Sequence, residues 1–276
     1  MSTSISARRI LITGAAGYLG TVLRTGLAGR YSLLRLTDRA PLPSAPGPGE
    51  EYLQAELHDF AQLELAMAGI DVVVHLGACS LEAPWETILE ANIVGTYNVF
   101  EAARRAGVQR VVYASSHHVV GYYRRDRKIG PDDPPRPDSR YGVSKAFGEA
   151  MGRMYADKYA MSVISQRIGV ARPEPQSVRG MAAYQSARDY VHLTERCIEA
   201  PDVHFLVVYG VSANTGVYWD NPGAAVIGYQ PVDDGTAYAA SVHAKQKPED
   251  EPPLERLFHG GWFCGMEFAG DPDRID

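Results

Sequence analysis

The sequence predicts an α/β fold: a doubly wound parallel sheet followed by a small C-terminal lobe. Three observations carry this. Strand-like apolar runs alternate with helix-like amphipathic runs over the first two-thirds of the chain. The first such pair is joined by Thr13-Gly14-Ala15-Ala16-Gly17-Tyr18-Leu19-Gly20, a glycine turn between strand and helix. A length of 276 residues suits one large domain, or one domain with a small appended lobe.

The elements follow in order. Arg9-Ile10-Leu11-Ile12 is a short apolar run of the kind that makes a buried parallel strand. After the turn, Leu19, Val22, Leu23 and Leu27 recur at helical spacing, and Gly29 stops the helix. Residues 32–37 read as strand two, ending at Asp38, and residues 41–49 hold four prolines and two glycines and form a loop. A short strand over 51–55, a helix over 60–68 and a fully buried strand over 72–76 come next. Residues 85–106 make a long helix closed by Gly107, and residues 110–114 make strand five. A basic, turn-rich loop runs to Pro137, a helix spans about 139–159, and strand six covers 161–167. Beyond it the regularity weakens to a Pro-rich loop, a helix near 184–199, a strand at 204–208 and a helix near 234–245. No repeat and no linker interrupts the chain, so residues 1–170 (cofactor domain) and 171–276 (substrate lobe) are expected to behave as one cooperative unit.

Composition narrows the function classes. A hydrophobic content of 45% is ordinary for a globular protein, and a net charge of −6 argues against nucleic-acid or anionic-membrane partners. Cys79, Cys197 and Cys264 are few, scattered and odd in number, and no Cys/His cluster has metal spacing. A reduced, cytoplasmic setting is therefore expected. The N-terminus runs into the first strand with no apolar signal segment, and no stretch approaches the roughly 18 apolar residues of a membrane span.

The glycine turn points to a dinucleotide. Gly14 allows the tight turn, Gly17 lets backbone approach a pyrophosphate, and Gly20 lets the helix pack closely on the strand. The helix N-terminus then offers its unpaired N–H groups to the phosphates. Asp38 stands eighteen residues past Gly20, where a carboxylate accepts hydrogen bonds from the adenosine ribose hydroxyls and repels a 2′-phosphate. A turn or cap aspartate is the bland alternative, and Arg39 could stack on adenine or tolerate a phosphate. NAD is favoured over NADP.

Tyr141-Gly142-Val143-Ser144-Lys145 is the second signal. Spacing of i and i+4 puts Tyr141 and Lys145 on one helix face. A free tyrosine titrates near pH 10 (about), too high for a base at neutrality, and a fixed ammonium one turn away is expected to pull that value down. The pair could then take a proton from an alcohol while hydride leaves its carbon. Alone, a Tyr and Lys four apart is an ordinary helical surface pair. Upstream, though, Ser115-Ser116 ends the apolar run over 111–114, so a hydroxyl points into the crevice where α/β folds bind ligands.

Gly14/Gly17/Gly20, Asp38, His75-Leu76-Gly77-Ala78, the run from Asn92 to Asn98, Ser116 and Tyr141/Lys145 together resemble the extended short-chain dehydrogenase/reductase superfamily, a Rossmann fold, over about residues 9–170. The resemblance implies that Ser116 and Tyr141 hold the reacting oxygen, that Lys145 binds the nicotinamide ribose and tunes the tyrosine, and that Asn92 props up the site. It assigns NAD to Gly14, Gly17, Tyr18, Leu19, Asp38, Arg39, Glu56, Leu57, Leu76, Gly77, Ala78, Asn92, Tyr141, Lys145 and Ile168. Glu56 stands where an aspartate is usual.

About 105 residues follow strand six, short for a nucleotide-sugar lobe, so a small free substrate is expected. Residues 76–84, 116–123, Arg167-Ile168-Gly169 with Pro173-Glu174-Pro175, and Tyr218-Trp219-Asp220-Asn221 are similar to uronate dehydrogenases, which oxidise C1 of a hexuronic acid with NAD. That likeness implies sugar contacts from Ser80, Ser116, His118 and Arg179, and places His117 in the same pocket; it implies no metal, and a homo-oligomer is expected. Arg179 is expected on the loop after strand six. Two positions depart: His117 replaces an asparagine, and Val170 replaces the serine of an Ile-Gly-Ser motif. Both leave the chemistry intact and open the substrate to a neutral, phosphorylated or sulfonated aldose. A nucleotide-sugar epimerase or dehydratase and a silent NAD-binding regulator are the further alternatives, the last opposed by the retention of Tyr141 and Lys145.

Three features have blander readings. His117-His118 could be a metal pair, but neighbours on an extended segment point opposite ways and no third ligand is evident. The run Arg124-Arg125-Asp126-Arg127-Lys128 is a solvated loop or an attractor of an anionic substrate. Residues 218–221 are a pocket wall or an aromatic turn.

Overall fold

A computed structural model describes residues 5–247 and 250–275; the first four residues, on which part of the N-terminal expectation rests, lie outside them. Seven parallel strands form one sheet in the order β3-β2-β1-β4-β5-β6-β9. They are β1 (Ser6–Thr13), β2 (Tyr31–Asp38), β3 (Glu50–Gln54), β4 (Val72–His75), β5 (Arg110–Ser116), β6 (Ser162–Ile168) and β9 (Phe205–Gly210). A two-residue pair, β7 (Val170–Ala171) with β8 (Tyr184–Gln185), lies outside the sheet. The strand order reverses between β1 and β4, and the crevice outside their C-terminal ends is where such sheets bind ligands.

Alternation along the strands builds a core on each face. Ile10, Ile12, Val72, Val74, Val112 and Ile164 point to one layer, where they meet α1 (Tyr18–Leu27) and α7 (Ala187–Glu199) through Leu23, Leu27, Tyr190 and Leu193. Leu11, Val73, Val111, Tyr113 and Val163 point to the other. There they meet α2 (Phe60–Met67), α4 (Gly95–Arg105) and α5 (Arg140–Tyr159) through Leu63, Val99, Phe100 and Tyr155. The shorter helices are α3 (Trp85–Ile88), α6 (Val178–Ala182), α8 (Pro222–Ile227), α9 (Ala239–Lys245), α10 (Pro253–Leu257) and α11 (Trp262–Gly265). Among the described residues no helix is long and apolar enough to cross a membrane.

Four departures from the sequence reading shape the fold. The single helix expected over 85–106 is α3, a π-helical turn Leu89–Val94, and α4. The extra residue in that turn aims Asn92 inward, as π-turns do at ligand sites. The helix expected from 184 starts at Ala187, capped by the Ser186 hydroxyl, because Tyr184 and Gln185 are spent on β8. The sheet takes its seventh strand, β9, from beyond residue 170, so the last third of the chain is not confined to a lobe.

The fourth departure concerns the basic run: residues 126–128 are the exposed loop expected, but Arg124 and Arg125 are drawn into the fold, and none of the run lines the cleft. Arg124 donates to the Ile275 and Pro272 carbonyls, and Arg125 grips Glu251 through two bonds of 2.9 and 2.6 Å. Arg127 pairs with Asp133 and Lys128 with Asp220. A fork-shaped guanidinium matches both carboxylates and carbonyls, so Arg124 and Arg125 staple the C-terminal segment onto the sheet domain.

Candidate active site

A cleft of about 990 Å³ opens at the crevice predicted by the topology. Every residue that the sequence assigns to cofactor or sugar lines it, except Asn92. Asn92 is one layer behind: its amide accepts from the Cys79 N–H at 2.8 Å and donates to the Cys79 carbonyl and the Ser144 hydroxyl. A direct cofactor contact for Asn92 is therefore corrected to a brace, because the π-turn commits all of its polar atoms to the protein.

At one end Gly14 makes the tight turn and Gly20 the close helix packing that their spacing implied. Gly14 has φ +71°, and a Cβ there would fall 2.7 Å from the Gly77 nitrogen, so the turn and the β4 end can touch only through glycine. A Cβ on Gly20 would fall 2.4 Å from the Gly14 carbonyl oxygen. Gly17 caps α1 without a side-chain hydrogen bond and no acid sits in the first turn, which leaves the helix N-terminus free for an anion. Asp38, half-buried at the end of β2, accepts from the Ala16 and Ala40 N–H groups, both at 3.0 Å, and so also pins the turn. Open turn, free helix terminus and strand-end carboxylate fit a dinucleotide.

Ser116, Tyr141 and Lys145 converge at the middle of the cleft, all buried. Ser139 caps α5 by accepting from the Gly142 N–H, and Glu82 accepts from the Tyr141 N–H, so the helix start is held on both sides. Lys145 Nζ donates to the Ala114 carbonyl at 2.8 Å, one helical turn from Tyr141. The phenol is not pulled down as the sequence suggested. Burial pushes Tyr141 up to about 12, against a hydrogen bond with Ser116 that lowers it. Burial also draws Lys145 down to about 8, and its ammonium is turned to a carbonyl rather than to the phenol oxygen.

The other end of the cleft differs most from expectation. Residues 117–120 form a 3-10 turn, not an extended segment, so the His117 and His118 rings lie side by side with centroids 4.1 Å apart. The argument that they point opposite ways fails. Each is spoken for, however. His117 Nδ1 faces the Ile168 carbonyl at 3.0 Å and must donate to it, and burial holds this ring well below the usual histidine range. His118 Nδ1 faces Asp138 at 2.6 Å. Among the described residues no group of three or more His, Cys, Asp or Glu side chains could hold a metal.

Arg179 sits on α6 rather than on a loop, and is buried. Its Nη1 donates to the His259 carbonyl at 2.7 Å and lies 3.5 Å from His117 Nε2. Among the described residues its guanidinium forms no ion pair, and burial, with the charge of Arg125 next, lowers its pKa. A buried guanidinium that faces a cleft with N–H groups unspent on an ion pair is a ready anion site. Ser80 is exposed at the cleft rim, and Val170 shows the cleft an apolar side chain. Trp219 stacks on Tyr209 and lies 5.6 Å from His117, so it backs the histidine, and none of residues 218–221 lines the cleft.

Sequence reading missed the C-terminal contribution. Gln246, Glu251, Glu255, Trp262 and Phe263 all line the cleft. The available signal was His259-Gly260-Gly261, a glycine pair beside two aromatic residues. Gly261 has φ +62°, and a Cβ there would lie 2.3 Å from Arg179 Nε.

Residues 10–179 match the model of the NAD dependent epimerase/dehydratase family. Uronate dehydrogenase of Pseudomonas putida is 42% identical over 262 residues, 95% of this chain and 97% of that protein. The crystal structure of a mutant uronate dehydrogenase from Agrobacterium tumefaciens complexed with NAD superposes with a TM-score of 0.90 at 42% identity, covering 94% of this chain and 98% of that one. Glucuronic acid dehydrogenase from Chromohalobacter salexigens gives 0.89 at 38% identity, covering 97% and 99%.

Proposed function

The chain belongs to the NAD dependent epimerase/dehydratase family, and from that premise we propose that it oxidises the C1 hydroxyl of a hexuronic acid to the aldarolactone. NAD is the cofactor and, when bound, accepts the hydride from C1. The observation that carries the sugar-acid reading is Arg179, a buried guanidinium that forms no ion pair among the described residues, in the same cleft as Ser116 and Tyr141.

In this reading Tyr141 takes the proton of the anomeric hydroxyl as hydride leaves the carbon, and Ser116 holds the same oxygen by a hydrogen bond. Lys145 fixes the nicotinamide ribose, its ammonium held by the Ala114 carbonyl one helical turn from Tyr141. The α1 N-terminus takes the pyrophosphate, with Gly14, Gly17, Tyr18 and Leu19 around it. Asp38 and Arg39 meet the adenosine ribose, Glu56 and Leu57 the adenine, and Leu76, Gly77, Ala78 and Ile168 the rest. Arg179 grips the carboxylate, while Ser80, His117 and His118 meet the hydroxyls. Residues 1–170 carry the cofactor site and the catalytic Ser116, Tyr141 and Lys145, and residues 171–276 complete the sugar site, the two folding as one unit; a cytoplasmic homo-oligomer completes the proposal.

The test is NADH formation with glucuronate and galacturonate against the corresponding neutral hexoses. Uronates should be strongly preferred. Equal rates on the hexose would transfer the site to a neutral-aldose dehydrogenase, and bound NAD with no net reduction would point to an epimerase.

The cofactor preference has its own check. Wild type should use NAD over NADP, because the Asp38 carboxylate occupies the place of a 2′-phosphate. Asp38→Ala should weaken NAD binding and narrow the ratio of kcat/KM for the two cofactors. Wild-type turnover with NADP as efficient as with NAD would remove this role from Asp38.

A further inference from the structure

Asp138 lies outside every motif discussed so far, yet the molecule is shaped around it. Its carboxylate is buried, 2.6 Å from His118 Nδ1 through one oxygen, and accepts from the Ser139 hydroxyl at 2.7 Å through the other. That hydroxyl also caps α5, the helix that carries Tyr141. Two glycines from distant parts of the chain make room: a Cβ on Gly121 would fall 1.8 Å from Asp138 Oδ2, and one on Gly260 1.9 Å away. Such approaches are closed to any other residue, so the sequence has given up two side chains to admit this carboxylate.

His118 is fixed on all sides. Its N–H on the backbone donates to Ser116 Oγ at 3.2 Å, its ring stacks on Phe263 at 3.9 Å, and it meets Tyr141 edge-on at 5.8 Å. A carboxylate can only accept, so the proton between the pair belongs to Nδ1. In the neutral ring Nε2 then carries a lone pair. His118 lines the cleft, and Nε2 makes no hydrogen bond among the described residues.

We infer that Asp138 is a positioning residue: it holds the His118 proton on Nδ1 and thereby presents Nε2 to the cleft as an acceptor for a sugar hydroxyl. The inference rests on the reading of the cleft as a sugar site. It concerns the tautomer and aim of one ring, not the stability of the fold, and its test separates the two.

Asp138→Asn can bond Nδ1 through either its oxygen or its nitrogen, so it no longer dictates the tautomer. With whichever sugar wild type oxidises, kcat/KM should fall about 10- to 100-fold, the range expected when a partner that orients a histidine is lost. NAD affinity should stay within about twofold. In a His118→Asn background the same change should cost less than about threefold, because a residue that acts through His118 has nothing left to act on. A full additive loss in that background, or an Asp138→Asn enzyme within about threefold of wild type, overturns the inference. A second measurement needs neither the variant to fold nor a substrate. Nitrogen-15 spectra of the wild-type histidines, with His118 assigned by its disappearance in His118→Asn, should show the proton of the neutral ring on Nδ1; a neutral ring with its proton on Nε2 overturns it. Wild type silent on uronates but active on another aldose would reject the carboxylate reading and leave this test intact.

Discussion

Tyr141→Phe should lower turnover by about 10²- to 10⁴-fold, the usual loss when general-base catalysis is removed, with NAD affinity nearly unchanged. The substitution deletes one oxygen from a buried ring and leaves its packing against His118 and Phe263 in place. The pH dependence follows from the direction of the shifts. Burial pushes Tyr141 up to about 12, so at neutral pH the phenol carries its proton and the active phenolate is scarce. Its fraction grows as pH rises. Lys145, drawn down to about 8 by burial, loses its charge well before the phenol does, and with it the ammonium that holds the nicotinamide ribose. The wild-type rate of sugar oxidation should therefore climb from neutrality and peak on the alkaline side. The phenylalanine variant should show no such climb. Activity within a few-fold of wild type, or a flat wild-type profile from about pH 6 to about pH 9, would take the tyrosine out of the mechanism.

The half of the site that was legible in the sequence is the half made by local structure. A strand, a glycine turn and a helix are contiguous, so Gly14, Gly17 and Gly20 announce their roles by spacing, and Asp38 by standing at the next strand end. Tyr141 and Lys145 share one helix face by period alone. The other half comes from tertiary approach, which leaves no period behind. Gly260 and Gly261 are glycines because Asp138 and Arg179 come within a Cβ of them, from residues more than 80 positions away. Arg124 and Arg125 look solvated until the C-terminal segment, with its carbonyls and Glu251, is laid over them. The paired histidines were misjudged because a 3-10 turn, capped by Ser116, replaced the extended strand that period-two reasoning assumes. The Tyr141 pKa was misjudged for a related reason. Spacing shows that a cation is one turn away, but not that it has turned to Ala114 nor how completely the phenol is buried.

Arg179→Met should cost about 10²-fold in kcat/KM on a uronate and little on the corresponding hexose, collapsing the preference between them. The structure strengthens the physical case beyond a loop arginine. The guanidinium is buried on α6, its Nη1 is anchored on the His259 carbonyl, and the positive-φ Gly261 leaves room for its Nε. A guanidinium has five N–H donors in a fixed fork, so anchoring one nitrogen aims the others without exhausting them. Holding a buried cation that forms no ion pair among the described residues is costly, and burial lowers the Arg179 pKa. A substrate carboxylate repays it on binding, and a neutral hexose does not. The same logic predicts where the loss falls. Gripping C6 sets which face and which end of the ring meets Tyr141, so the mutant should lose kcat as well as raise KM. Methionine keeps much of the apolar stem and removes the charge, which leaves the packing against Gly261 nearly intact. His117 touches the same nitrogen from the other side, with its Nδ1 proton given to the Ile168 carbonyl, so its lone pair faces Arg179 and its own charge stays suppressed. Equal activity of wild type on uronate and hexose, or a mutant that keeps the full preference, would sink the clamp. A preference for a phosphorylated aldose that vanishes in Arg179→Met would keep the anion site and change its ligand.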